Sequence, residues 1–202
     1  MASPIEAVSR RALTVAGWCY LAITVLICFD VVARRFLGFS SGATTEWTGY
    51  LMAISMTWGL AGTLYERGHV RIDVLVQKMP LRVRVWLHLA SLLALLVTAG
   101  FFAWGAVALA KDSWTFNAAD LSALHTPLVI PQGLWAAGLA LFLLAVVALA
   151  ARAVHLLATR RQGEMDAMLM ARTYVDEAAE TLEAIAESHP AAPPAAASTS
   201  RA

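Results

Sequence analysis

The sequence predicts an all-α integral membrane protein with four transmembrane helices, both termini cytoplasmic, a short interfacial helix and a C-terminal amphipathic helix. Three observations predict it. Of 202 residues, 59% are apolar and only 14% charged, with a mean hydropathy of +0.65, which leaves too little polar surface for a soluble domain. Four apolar runs are each about long enough to cross a bilayer as a helix. Basic residues are uneven at the ends of those runs: Arg10, Arg11, Arg67, Arg71, Lys78, Arg82, Arg84, Arg152, Arg160 and Arg161 fall on one side, and Arg34, Arg35 and Lys111 on the other. The basic side belongs in the cytoplasm, and an odd number of spans would put one basic cluster outside.

Residues 1–12 form a polar lead whose Arg10 and Arg11 hold the N-terminus inside, and 13–157 form the transmembrane domain. The first span covers about 13–33. It is too long, and lacks the small-residue cleavage site, for a signal peptide, so it is read as a retained helix. Cys19 and Cys28 fall on opposite sides of it, unable to bridge, and are read as buried free thiols. At its exit, Asp30 and Arg34 share a face one turn apart and are placed to pair.

Gly, Ser and Thr between Phe36 and Thr45 turn the chain back into a second span over about 46–65. Glu46 stands in its first turn, where the helix dipole favours a carboxylate and Thr44 or Thr45 supplies a cap. Ser55, Gly59 and Thr63 recur every fourth residue, a stripe that admits another helix closely. Gly68 ends the helix; Val70, Ile72 and Val74 then interleave with Arg71, Asp73 and Gln77 as a short amphipathic segment in the interface.

The third span covers about 85–110, with Trp86 and Trp104 near its ends, followed by a polar loop from Lys111 to Thr126. The fourth covers about 128–154, opened by prolines that the first helical turn tolerates. Residues 158–188 read as a cytoplasmic acidic amphipathic helix, with Met165, Met168, Leu169 and Val175 against Asp176, Glu177, Glu180 and Glu183. Residues 189–202, rich in Pro, Ala and Ser, read as a disordered tail.

No Walker A loop, zinc-ligand spacing, nucleophile elbow or dinucleotide turn occurs, so the chain is read as having no catalytic residue, metal site or cofactor. One alternative is a four-helix membrane haem protein using His88 and His155, both near the cytoplasmic side. Solute transport by this chain alone is disfavoured, because no span carries an ionisable or helix-breaking segment at mid-depth. The composition fits a chain that supports another multi-span protein.

Four segments resemble one family. They are Asp30-Val31-Val32-Ala33-Arg34-Arg35-Phe36, Thr45-Glu46, Arg67-Gly68-His69-Val70-Arg71-Ile72-Asp73, and Thr126-Pro127-Leu128-Val129-Ile130-Pro131 with Gly138. Together they make residues 10–157 similar to the small, DctQ-like membrane subunit of tripartite ATP-independent periplasmic (TRAP) transporters, the Arg67–Asp73 loop being the most specific. The chain departs from the family pattern at Arg35, where an aromatic is usual, and at Trp47, where a second acid is usual.

The resemblance implies a subunit of the bacterial inner membrane that packs against a large multi-span (DctM-like) subunit. That subunit performs sodium-driven uptake of an organic acid delivered by a periplasmic (DctP-like) binding protein. It implies that Arg34, Glu46, Arg67, His69, Arg71 and Asp73 meet partner subunits or membrane lipids, with no nucleic acid involved. The small subunit of a tripartite tricarboxylate carrier is the nearest alternative within transport.

Overall fold

A computed structural model describes residues 4–39, 42–66, 79–121 and 125–169, with 178, 181, 182, 184 and 185 beyond them. The described residues contain five α-helices and no β-strand: α1 (Pro4–Val32), α2 (Ala43–Tyr65), α3 (Leu81–Thr115), α4 (Val129–Ala158) and α5 (Gln162–Leu169). A π-helical segment, Ala33–Leu37, extends α1 and is closed by Gly38 at φ 71°, a left-handed conformation that glycine adopts without steric cost. Three helical segments are long and apolar enough to cross a membrane: Pro4–Leu37, Leu81–Thr115 and Val129–Ala158. Helix α2 has 23 residues, about 35 Å at 1.5 Å per residue, but polar residues such as Thr44, Glu46, Thr48 and Ser55 lower its hydropathy.

The helices follow one another in space as α1–α2–α4–α3. Helices α1 and α2 pack antiparallel: Gly59 faces Ala16, Gly62 faces Leu13 and Ser9, and Thr44 reaches Asp30. On its other side α2 meets α4, where Gly138 lies against Thr57 and Trp58. Helix α3 packs on α4, with Leu92 and Ala99 beside Phe142, Ala145 and Val146, and Ala103 and Ala106 beside Ala136 and Leu139. The buried set is largely alanine, including Ala12, Ala16, Ala61, Ala99, Ala106, Ala145 and Ala153. Small side chains bring helix backbones close, which is how helices gain contact when lipid is as apolar as leucine.

The large apolar side chains point outward instead. Trp18 is 67% exposed, Phe101 67% and Trp104 70%, an apolar surface that hydrocarbon suits and water does not. The same arrangement corrects the reading of the cysteines as buried. Cys28 is exposed and Cys19 partly so, because α1 stands at the end of the row with most of its circumference facing out.

Two helix ends differ from expectation. Helix α3 continues past Lys111 to Thr115 and stops where Asn117, at φ 47°, donates its N–H to Trp114 O while the Ala118 N–H bonds Ser113 O. Helix α4 runs to Ala158 and stops in the same way, with Arg160 at φ 56°, its N–H on Leu157 O and the Arg161 N–H on Leu156 O. Both are Schellman turns, built with Asn and Arg at the position that glycine usually takes, which hides them from a glycine search. The second turn separates α4 from α5, so 159–169 is a turn and a short helix. The remainder of the expected acidic helix, apart from the few residues named, and the 189–202 tail lie outside the described residues.

Candidate functional site

The polar side chains gather at the two ends of the helices. At one end the exit of α1 meets the start of α2. Arg34 pairs with Asp30 one turn back, as the spacing predicts, and the Thr44 hydroxyl lies 3.4 Å from the other Asp30 oxygen. Asp30 is buried, whereas the Arg34 side chain remains 63% exposed. The carboxylate therefore ties α1 to α2, and the guanidinium reaches outward. An open cleft beside this pair is lined by Asp30, Arg34, Arg35, Thr44, Thr45 and Thr48.

Glu46, in the first turn of α2, belongs to a second cluster at the same end. The Tyr50 hydroxyl lies 3.1 Å from Glu46 Oε1 and 3.0 Å from Asp120 Oδ2. Asp120 gets there because the α3–α4 connection folds on itself, with the Asp120 N–H on Thr126 O and the Leu128 N–H on Ala118 O, both 3.0 Å. Tyr50 has one proton and donates to one carboxylate at a time. It links the start of α2 to a loop 70 residues away. Exposed Trp47, Trp114 and Phe116 surround this end. Tyr50→Phe is expected to loosen the loop by about 1 kcal/mol, the worth of one partly exposed hydrogen bond. Amide exchange over residues 116–121 and 125–128 should then rise about fivefold, and exchange equal to the wild type would remove Tyr50 from the account.

The stripe on α2 turns toward α1 within the same chain at Gly59, while Ser55 is buried and Thr63 half-buried. The Ser55 and Thr63 hydroxyls bond their own helix carbonyls at Met52, Gly59 and Leu60. The closest approaches fall elsewhere. A Cβ on Gly62 would sit 2.5 Å from Leu13 Cβ and 3.0 Å from Ser9 O. One on Gly138 would sit 2.6 Å from Trp58 Cδ1 and 2.8 Å from Thr57 Cβ. Beside Gly138 the Trp58 indole N–H donates to the Leu134 carbonyl at 2.9 Å, a polar contact inside the apolar layer.

A third cluster, at the opposite end, was not legible in the sequence. Arg84 and His88, one turn apart on α3, both meet Asp166 of α5. Arg84 forms an ion pair with Asp166 Oδ2, and His88 Nε2 lies 3.4 Å from Oδ1. Asp166 and His88 are buried, and the Arg84 side chain is 20% exposed. Met165 and Leu169 seat α5 in the same core. The available signal was the position of Asp166 beside Met165 and one turn before Leu169, on the apolar side of the segment. His88 thus lies against Asp166, in an ion pair only when the imidazole is protonated, while His155 lies exposed in a separate cleft with Arg152 and Arg161. Arg67, His69, Arg71 and Asp73 lie outside the described residues.

None of these clusters joins a nucleophile to a base; they hold helices together or present charge at helix ends. A family model, the DctQ component of tripartite ATP-independent periplasmic transporters, matches residues 23–156, well over half of the chain. No curated protein and no solved structure gives a significant match.

Proposed function

The chain belongs to the DctQ component family of tripartite ATP-independent periplasmic transporters, and from that membership we propose that it is the small scaffold subunit of such a transporter. On this reading α2 is a fourth span beside the three apolar helices, both termini are cytoplasmic, and the protein resides in a bacterial inner membrane. It packs against a large multi-span subunit that carries an organic acid inward on the sodium gradient, after a periplasmic binding protein has delivered it. Its own role is to widen and steady the membrane part of the complex, without a catalytic residue.

The observation that supports this best is the row of helices α1–α2–α4–α3. A row leaves two apolar flanks, on α1 and α3, each bearing large exposed side chains such as Trp18, Phe29, Phe101 and Trp104. Such flanks suit a membrane partner on one side and lipid on the other. The ion pair of Asp30 with Arg34, the Tyr50 links and the Arg84–Asp166 pair lie at helix ends and tie parts of the chain together, which supports a scaffold rather than a substrate path.

The test is to purify the tagged full chain from its native membrane in mild detergent and identify what accompanies it by mass spectrometry. A large multi-span membrane protein in roughly equal molar amount is expected, and recovery of the chain alone would defeat the scaffold reading. Replacing Arg71 and Asp73 together by alanine should lower that recovery; undiminished recovery and uptake would remove this loop from the interface.

A further inference from the structure

The end of α4 carries a charged cleft that the packing of the described residues leaves open. Arg152, His155 and Arg161 line a cavity of about 560 Å³ with Glu164, Leu156 and Met168. Arg152 and His155 lie three residues apart on one face of α4. The Schellman turn at Arg160 then reverses the chain and brings Arg161 back over that face. The charges do not balance. Arg161 pairs with Glu164, the one carboxylate in the lining, whereas Arg152 and His155 have no side-chain partner among the described residues.

Depth and shape narrow what fits. Helix α4 has 30 residues, about 45 Å at 1.5 Å per residue, enough to cross both the hydrocarbon and the headgroup layers. Arg152 lies about 9 Å before the end of the helix, which sets it where hydrocarbon gives way to glycerol and phosphate. Leu156 and Met168 supply an apolar wall, and Val147 and Val154 of the same helix are exposed to the surroundings. The carboxyl end of a helix opposes an anion. Here Leu156 and Leu157 carbonyls are already occupied by the turn amides, at 2.9 and 3.1 Å, so the guanidiniums dominate the cleft.

We propose that this cleft binds the phosphate of an anionic phospholipid, with Arg152 and Arg161 on its oxygens, His155 donating an N–H, and the glycerol and first methylenes against Leu156 and Met168. Basic recesses between helices at the cytoplasmic face favour such headgroups. The proposal requires α4 to lie in a membrane with its carboxyl end at the cytoplasmic face, as the proposed topology has it. It does not require a particular transporter partner, so either reading can fail while the other stands.

The test is native mass spectrometry of the full chain, with any co-purifying subunit retained, titrated in detergent with phosphatidylglycerol or phosphatidylcholine. Phosphatidylglycerol should be retained in preference to phosphatidylcholine. Arg152→Gln should weaken its binding about fivefold, and Arg152→Gln with Arg161→Gln about 25-fold, the loss expected for removal of one and two interfacial cations. Arg10→Gln, which removes a charge on α1 that pairs with Glu6 one turn away, should bind as the wild type does. Should Arg152→Gln not fold, Arg161→Gln alone, at an exposed position, must still show the fivefold loss. Equal retention of the two lipids, unchanged binding by the variants, or displacement of lipid by millimolar inorganic phosphate, which would mark a free-phosphate site, would each overturn the proposal.

Discussion

Gly138→Leu is expected to separate α4 from α2 and to destabilise the chain by about 3 kcal/mol. Even the first carbon of a side chain there would lie 2.6 Å from the Trp58 ring and 2.8 Å from Thr57 Cβ, inside van der Waals contact. Neither neighbour has room to retreat, since Thr57 is buried and its hydroxyl is bonded to the Ala53 and Ile54 carbonyls, and Trp58 is fixed on Leu134 O. Overpacking of this kind costs about 1–3 kcal/mol. Displacing the Trp58 indole adds the loss of an interhelical hydrogen bond, about 1 kcal/mol in a membrane protein. Gly133→Leu, on the same helix but with nothing within 4 Å of its Cβ, is the control and should unfold as the wild type does. The check is unfolding of both variants in mild detergent. An equal loss at 133 and 138 would mean that leucine harms α4 wherever it is placed, and that the close approach carries no special weight.

The second large effect is expected at Asp166. Its replacement by alanine removes the counter-charge of Arg84 and the partner of His88 in a site where the side chains of Asp166 and His88 are 7% and 6% exposed. Removing one member of a buried pair costs about 3–5 kcal/mol. Because Arg84 keeps some contact with its surroundings, we expect about 2–3 kcal/mol, the rest being recovered by outside screening. Helix α5 should then detach, exposing Met165 and Leu169 and opening the 159–161 turn to protease. Asp166→Leu combined with Arg84→Met should restore much of the loss, since an apolar pair of similar volume replaces a buried ion pair at little cost. A double-mutant cycle in which the two single losses simply add would show that the residues are not coupled, and the Arg84–Asp166 pair would no longer account for the docking of α5 on α3.

Both predictions depend on contacts between segments far apart in the chain, and this is where sequence reading stopped. The Asp30–Arg34 pair was legible because helix geometry alone brings residues one turn apart together. The small-residue stripe of α2 was legible for the same reason, although which helix it faces was not. Gly62 stood out no more than Gly133, whose added Cβ would meet nothing, and Gly138 stood out only as part of the family pattern, with no sign of which helix it meets. Glycine matters where another backbone approaches, and approach is not a property of one segment. The helix stops at Asn117 and Arg160 carry no glycine at the left-handed position, so no local residue type marks them in the sequence.

Hydropathy, charge placement and helical periodicity are properties of each segment taken alone, so the sequence by itself determined that the chain is helical, strongly apolar and free of a recognisable catalytic motif. Its short motifs determined the family as well. Only the tertiary structure decided the order of helices in the row, the turning of Asp166 inward to Arg84 and His88, and the joining of Glu46 to Asp120 through Tyr50. The reason is physical: a charge or a small residue satisfies helix geometry equally well against any neighbour. Its partner is selected by which backbones approach closely enough to exclude other side chains, and that is settled by the packing of all the helices together.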